Sequence, residues 1–138
     1  MEEKQQRAQT GGITLPRVNE FGLTFEPHDV VHEDVIVPLI DGVPLTEWLE
    51  LHDDPSFSGV RREDLDAEPF RPGKAKLVLG CDCGIASCGP LVARITADGT
   101  TIVWDSFRRP HRGGRVYDEL GPFRFDRADY EKLVLELG

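Results

Sequence analysis

Apolar and polar residues alternate along two neighbouring stretches in the second half of the chain, and this alternation predicts a β-hairpin. The stretches meet at Asp98-Gly99, a dipeptide that favours a type I′ turn because both residues tolerate positive φ angles. A two-residue turn there pairs Ala97 with Thr100. One face of the hairpin is then apolar and carries Leu91, Ala93, Ile95, Ile102 and Trp104. The pattern predicts a half-buried antiparallel sheet, since a slip of one residue would expose Trp104 to water.

Shorter patterns elsewhere predict further strands and helices. Asp41-Gly42 is a second type I′ signal, and Pro38 is expected to end the strand before it or to place that strand at a sheet edge. Thr46 and Asp126 are candidate helix N-caps. Strands are predicted near 21–25, 34–39, 76–79 and 123–125, and helices after Thr46, near 61–65 and at the C-terminus. Together these elements predict an α+β fold, mainly antiparallel sheet with hairpins and two or three short helices including the C-terminal one.

Length and composition predict one domain. The chain has 138 residues, of which 39% are hydrophobic and 30% are charged, and this is sufficient for one folded core. Residues 1–12 are polar and end in Gly11-Gly12. We therefore expect a flexible N-terminal tail over 1–12 and a single α+β domain over 13–138.

The charge and the N-terminus limit the classes of partner and the compartment. A net charge of −9 argues against nucleic acid, because phosphate binding requires a basic surface. No apolar run approaches the ~20 residues of a membrane span, and no signal peptide is recognisable. An odd number of cysteines without such a signal is typical of the reducing cytosol. We expect a cytoplasmic protein without nucleic-acid or membrane partners, for which a protein partner is plausible.

The most informative motif is the cysteine loop, residues 81–89, with the sequence Cys-Asp-Cys-Gly-Ile-Ala-Ser-Cys-Gly. All three cysteines of the chain, Cys81, Cys83 and Cys88, lie in it. Thiolates are preferred ligands of zinc, and structural zinc takes four nitrogen or sulfur ligands. The C-x-C-x4-C spacing differs from paired C-x2-C motifs, but the two glycines of the loop would let the chain curl back. One interpretation is therefore a structural zinc site with three thiolate ligands.

A fourth zinc ligand is suggested by the predicted hairpin. Its register, extended beyond the strand ends, brings His111 beside the cysteine loop. We predict His111 as the fourth ligand, and His52, His32 and His28 are the remaining candidates. His28 and His32 are four residues apart, but their β-branched neighbours favour a strand, in which that spacing is too long to chelate one ion easily.

Two other interpretations of the cysteine loop stay open. In the first, Cys81 or Cys83 is a redox nucleophile and Cys88 is the resolving thiol, with nearby arginines lowering the thiol pKa values. The absence of a C-x2-C motif at a helix start counts against that chemistry. In the second, the cysteines are small buried residues without ligands, which is common for free cysteine.

One basic run stands out in this acidic chain, over residues 108–115. Arg108, Arg109 and Arg112 form a candidate anion site, because guanidinium groups and glycine-rich backbone suit phosphate or carboxylate. The alternative is a solvated loop whose arginines pair with the excess of acidic residues. Asp105 is predicted to be a cross-strand partner of a charge such as Arg94 rather than a catalytic base.

Residues 77–131 resemble a group of small bacterial proteins of uncharacterised function. The similarity rests on the Gly80-Cys81-x-Cys83-Gly84 start with Cys88, Val103-Trp104-x-x-Phe107, Pro110-His111-Arg112, and Gly121-Pro122-Phe123-x-Phe125-Asp126. The resemblance implies a compact domain and assigns no activity. The chain also lacks the G-x-S-x-G, P-loop and G-x-G-x-x-G motifs of large enzyme classes. We therefore expect a binding or interaction module rather than an enzyme, with a thiol-dependent redox enzyme or sensor as the alternative.

Overall fold

Two antiparallel sheets form the framework of the molecule. A computed structural model describes residues 18–28, 32–52, 57–81, 89–110 and 114–137. In chain order the strands are β1 Phe21–His28, β2 Glu33–Ile40, β3 Val43–Pro44, β4 Phe57–Ser58, β5 Gly73–Cys81, β6 Leu91–Asp98, β7 Thr101–Arg109, β8 Arg115–Val116 and β9 Phe123–Asp126. The helices are α1 Leu45–Glu50, a 3₁₀ helix Arg62–Ala67 and α2 Arg127–Leu135. This architecture confirms the predicted α+β class with short helices, including the C-terminal one.

The smaller sheet has the strand order β1-β2-β3. Asp41 and Gly42 connect β2 to β3 with φ angles of +56° and +79°, as the predicted two-residue turn requires. The expectation for Pro38 was wrong: β2 continues through it to Ile40 and is the central strand of this sheet. The short β3 pairs only with the last two residues of β2, so no β3 residue lies opposite Pro38.

The larger sheet has the order β4-β5-β6-β7-β8, and β9 also pairs with β7. The edge of β7 that faces away from β6 is therefore shared between two short strands. β9 pairs with its first half, from Thr101 to Trp104, and β8 pairs with Arg108 and Arg109. The two sheets are linked by an antiparallel bridge between Ile36 and Val60, whose two backbone hydrogen bonds are both 2.8 Å long.

The β6–β7 hairpin confirms the predicted faces and corrects the predicted register. Ala97 pairs with Ile102 rather than with Thr100, so the turn residues are Gly99-Thr100 instead of Asp98-Gly99. Gly99 has a φ of +61°, as the first turn position of a type II′ hairpin requires. Because side chains alternate with a period of two, a register shift of two residues leaves each residue on its predicted face. The apolar residues of that face are all buried, namely Leu91, Ala93, Ile95, Ile102 and Trp104.

The two α-helices differ in how they begin. Thr46 does not cap α1, because the helix already begins at Leu45 and its N-cap is Pro44, without a side-chain hydrogen bond. Asp126 caps α2 as predicted, and its Oδ2 accepts a hydrogen bond of 3.0 Å from the backbone N–H of Asp129. α2 places Tyr130 and Val134 in the core. None of the helices in the described ranges has the length and apolar content needed to cross a bilayer.

Trp104 lies at the centre of an aromatic core. Its ring is fully buried and stacks on Phe70 with a centroid distance of 6.1 Å and an interplanar angle of 5°. Phe21 of β1 contacts it edge-on at 5.6 Å. The core therefore unites both sheets and α2.

Candidate thiol-rich site

The cysteine loop connects two strands that are neighbours in the larger sheet. β5 ends at Cys81 and β6 begins at Leu91, and Leu91 pairs with Leu79. The ends of the connection over residues 82–90 are thus held together by antiparallel pairing. The chain segment that contains all three cysteines starts and finishes at the same end of one sheet.

Strand β4 covers the edge of β5 where the loop begins. Phe57 pairs with Cys81, and Ser58 pairs with Gly80. Gly80 allows a close approach of the two backbones, since a Cβ on Gly80 would lie 2.8 Å from the carbonyl oxygen of Gly59. The start of the cysteine loop is therefore fixed on the β4 side as well as on the β6 side.

A β-bulge in β7 turns Arg109 toward this end of the sheet. In a regular strand alternate residues share a face, so the buried Ile102 and Trp104 would place Arg108 inside and Arg109 outside. Between the pairs Arg94–Asp105 and Val92–Arg108, however, β7 contains one residue more than β6. Ser106 has a φ of +57° within this bulge. The alternation reverses after it, and Arg109 is only 4% exposed.

The Arg109 guanidinium contacts the last residue of the cysteine loop and the β4 residue that pairs with the first. Its Nη2 donates a hydrogen bond of 3.0 Å to the carbonyl oxygen of Gly89, the last residue of the loop. Its Cζ lies 4.2 Å from the centroid of the Phe57 ring. Phe57 in turn pairs with Cys81, the first residue of the loop. The carbonyl oxygen and the aromatic face both stabilise a buried cation. A fixed positive charge at the base of the loop favours negative charge in its neighbourhood.

A second arginine extends this arrangement toward α1. The Arg115 guanidinium lies 4.7 Å from the Tyr117 ring, and its Nη2 donates a hydrogen bond of 2.8 Å to the carbonyl oxygen of His52. Tyr117 in turn contacts Phe57 edge-on, with a centroid distance of 6.4 Å. His52, one of the reserve candidates for the fourth zinc ligand, is thus linked through Arg115 and Tyr117 to Phe57, the ring on which Arg109 stacks.

The predicted zinc ligands fall mostly outside the described residues. Cys83, Cys88 and His111 lie outside them, and Cys81 is described only as the last backbone position of β5. Of the remaining histidines, His28 ends β1, and His32 donates its backbone N–H to the His28 carbonyl oxygen at 2.9 Å. Among the described residues, no group of three or more His, Cys, Asp or Glu side chains is placed to hold a metal ion. The four-ligand zinc site stays a prediction.

The predicted anion site also stays a prediction. Arg112 lies outside the described residues. Arg108 and Arg109 are successive residues of β7, and their side chains point to opposite faces of the strand. Arg109 is the buried member of the pair, and Arg108 is half-buried.

The predicted pairing of Asp105 with Arg94 is confirmed. Two hydrogen bonds, from Arg94 Nε to Asp105 Oδ1 at 2.8 Å and from Arg94 Nη2 to Asp105 Oδ2 at 2.9 Å, join the carboxylate to the guanidinium. These bonds lower the pKa of the Asp105 carboxyl group below its usual value. Asp105 is therefore a structural ion-pair partner on the sheet surface.

These elements define a class: an antiparallel α+β protein with a thiol-rich connection between adjacent strands and a buried arginine that contacts the last residue of that connection. No family model, curated protein or solved structure matches the chain.

Proposed function

We propose that this protein is a non-enzymatic binding module. Its cysteine loop holds a soft metal ion such as Zn²⁺, and the metal-bound loop forms the surface that a protein partner binds. Cys81, Cys83 and Cys88 supply thiolate ligands in this proposal, and His111 supplies the fourth. Thiolate and imidazole ligands together suit zinc better than they suit Mg²⁺ or Ca²⁺, which prefer oxygen.

The observation that carries the proposal is the fixed position of both loop ends. The pairing of Leu79 with Leu91 joins β5 to β6, and the pairing of Phe57 with Cys81 adds β4. A loop with constrained ends loses less conformational entropy when several of its side chains bind one ion. The strand framework therefore supports chelation by cysteines that are close in sequence.

The Arg109 guanidinium supports the same proposal by its charge. A zinc ion with three thiolates and a neutral histidine carries a net charge of −1, and a buried cation nearby offsets part of that charge. The hydrogen bond from Arg109 to Gly89 and its contact with Phe57 hold the cation in place.

Native mass spectrometry of protein purified without affinity metals tests the proposal. We expect a mass excess of one zinc ion that is lost on treatment with a strong chelator, and a melting temperature that falls with it, because metal binding contributes to folding free energy. Cys83→Ser should abolish the excess, whereas Ser87→Ala in the same loop should retain it. An apo mass together with a melting temperature that chelator does not change would refute the metal site.

The alternative is a thiol-dependent redox enzyme or sensor, and the same buried cation favours it, because Arg109 would stabilise a reactive thiolate. Cys81 or Cys83 would be oxidised by hydrogen peroxide to a sulfenic acid, with release of water. The Cys88 thiol would then attack that sulfur and release a second water, leaving a disulfide. The two electrons lost by the thiols reduce the O–O bond of the peroxide.

Intact mass after treatment with hydrogen peroxide separates the two proposals. The redox function predicts a mass lower by two hydrogen atoms that dithiothreitol restores, and a Cys88→Ser variant that stops at the sulfenic acid. The binding module predicts metal release or uncontrolled oxidation without one defined disulfide.

A further inference from the structure

A groove runs along α2, at the end of the molecule defined by α2 and the segment that follows the 3₁₀ helix. Two adjoining cavities of about 250 Å³ each form it, and Arg71 and Val134 line both of them. We call this feature the α2 groove. One of its walls is the segment 65–72, and the other is α2. Cavities of this volume suit a small-molecule ligand.

The two halves of the α2 groove differ in chemistry. The half nearer the middle of α2 is mainly apolar, with walls from Phe70, Pro72, Ile102, Val134 and Leu135. Its acidic residue, Glu131, is bound by Arg127 with an Nε–Oε2 distance of 3.0 Å. The other half carries the carboxylates of Asp66 and Glu68 beside Leu65 and Pro69. Arg71 lies at the junction between the apolar half and the acidic half.

The charges of the groove are available to a ligand. In the described part of the chain, the side chains of Asp66, Glu68 and Arg71 make no hydrogen bond or ion pair with one another or with other groups. Arg71 is half-buried, so its guanidinium is only partly surrounded by water. A guanidinium in such a position binds a carboxylate with two parallel hydrogen bonds.

The wall of the groove is held in a conformation that non-glycine residues rarely adopt. Glu68 and Phe70 have φ angles of +53° and +70°, and backbone of this kind concentrates at functional sites. The buried Phe70 ring stacks on Trp104, and the hydroxyl of Tyr130 donates a hydrogen bond to the Phe70 carbonyl oxygen. The groove is therefore formed in advance, and a ligand need not order it.

We infer that the α2 groove binds a free amino acid with a large apolar side chain. The carboxylate of the ligand pairs with Arg71, its ammonium group lies against Glu68 or Asp66, and its side chain enters the apolar half of the groove. A ligand with a carboxylate alone is repelled by the two acidic residues, and one with an ammonium group alone makes no ion pair with the Arg71 guanidinium. Only a zwitterion matches both signs of charge. This site is separate from the cysteine loop, so it does not depend on the function proposed there.

Titration of the ¹⁵N-labelled protein with L-phenylalanine, followed by NMR, tests the inference. We expect saturable shifts of the backbone amides of Phe70, Arg71, Val134 and Leu135. Two analogues should each bind at least about tenfold more weakly than L-phenylalanine. They are hydrocinnamate, which lacks the ammonium group, and phenethylamine, which lacks the carboxylate. Glycine, which lacks the side chain, should produce no shifts.

Variants assign the contacts. Arg71→Gln and Glu68→Gln should each weaken L-phenylalanine binding by about tenfold, and Leu135→Glu should weaken it by placing charge at the apolar half. Leu135 is 63% exposed, so this variant leaves the core intact. Lys132→Gln, on α2 but outside the groove lining, is the matched control and should bind normally. No saturable shift with L-phenylalanine, equal binding of hydrocinnamate, or unchanged affinity in Arg71→Gln would each overturn the inference.

Discussion

The indole of Trp104 donates a hydrogen bond from Nε1 to the hydroxyl oxygen of Tyr130 at 2.9 Å, and both side chains are fully buried. The same Tyr130 hydroxyl group donates a second hydrogen bond, to the carbonyl oxygen of Phe70. β7, α2 and the strained wall of the α2 groove are thereby connected through one hydroxyl group. Burial of that group raises the pKa of Tyr130 well above its usual value, despite the opposing effect of the Trp104 donor. The phenol therefore stays neutral, and its proton is retained for the hydrogen bond to the Phe70 carbonyl oxygen.

Replacing this hydroxyl should destabilise the protein. Tyr130→Phe removes the acceptor of Trp104 and the donor to Phe70, and leaves two buried polar groups unsatisfied. We expect the free energy of unfolding in urea to fall by about 1–3 kcal/mol. Adding Trp104→Phe to the Tyr130→Phe variant should cost less than Trp104→Phe costs alone, because the hydrogen bond is already absent. A change below about 0.5 kcal/mol for Tyr130→Phe would contradict this role.

The pairing of Asp105 with Arg94 predicts a pH dependence of stability. A carboxyl group whose pKa is lowered by folding contributes stability above its unfolded pKa of about 3.9, and this contribution is lost as the pH falls through the folded pKa. Asp105→Asn should therefore reduce stability at neutral pH and make no difference at the lowest pH at which the protein folds. Urea unfolding of both proteins across this range measures the effect.

The control for this prediction is the partner residue. Arg94→Gln should produce the same pH-dependent loss, and the double variant should lose little more than either single variant. High salt should reduce the difference, since the pair is partly exposed. A difference between wild type and Asp105→Asn that persists at low pH would show that Asp105 acts through something other than its charge.

Much of the framework was predictable because it depends on periodicity. Trp104 and Ile95 share the buried face of the β6–β7 hairpin, and their alternation with polar residues reveals that face without knowledge of the register. The register itself was wrong by two residues, since Asp-Gly marks a turn without specifying which two residues occupy its corner. A register error of two residues leaves each side chain on its predicted face but gives it a different cross-strand partner. The placement of His111 rested on the predicted register, and it stays a prediction because His111 lies outside the described residues.

The burial of Arg109 was not predictable by the same reasoning. It depends on the bulge at Ser106, and a positive φ is uncommon at a residue other than Gly, Asn or Asp. Nothing in the local sequence marks the extra residue, so regular alternation would place Arg109 outside. The bulge is specified by tertiary contacts, since it allows Phe107 to join the core next to Trp104. The basic run is evident in the sequence, but no sequence signal indicates which of its arginines is buried.

The bridge between the two sheets predicts a glycine requirement at position 59. A Cβ on Gly59 would lie 2.6 Å from the carbonyl oxygen of Ile36, the group that accepts from the backbone N–H of Val60 at 2.8 Å. Gly59→Ala should therefore displace one sheet from the other and lower the free energy of unfolding by about 1–3 kcal/mol or more. Thermal and urea unfolding measure this loss.

The matched control is Gly22 in β1. A Cβ there would lie 3.3 Å from Cδ1 of Leu39, a flexible side chain that can move. Gly22→Ala should cost less than about 1 kcal/mol. Equal losses in the two variants would show that the close approach at Gly59 is not what limits the contact between the sheets.

The stacking of Arg109 on Phe57 predicts that lysine cannot replace this arginine. A lysine side chain at this position would retain the charge but lose the planar group that contacts the ring and donates to the Gly89 carbonyl oxygen at the same time. We expect Arg109→Lys to lower the free energy of unfolding by about 1–3 kcal/mol. Arg108→Lys is the matched control, because the neighbouring side chain lies on the opposite face of β7 and should change stability by less than about 1 kcal/mol.

A second substitution separates the stacking from the hydrogen bond. Phe57→Leu keeps an apolar side chain opposite Cys81 but removes the aromatic face, so the cost of Arg109→Lys should be smaller in the Phe57→Leu background. Because Phe57 and Gly89 mark the two ends of the cysteine loop, both variants should also weaken metal retention if the loop holds zinc. Unchanged stability in Arg109→Lys would show that the positive charge alone is sufficient and that the planar guanidinium does not fix the ends of the loop.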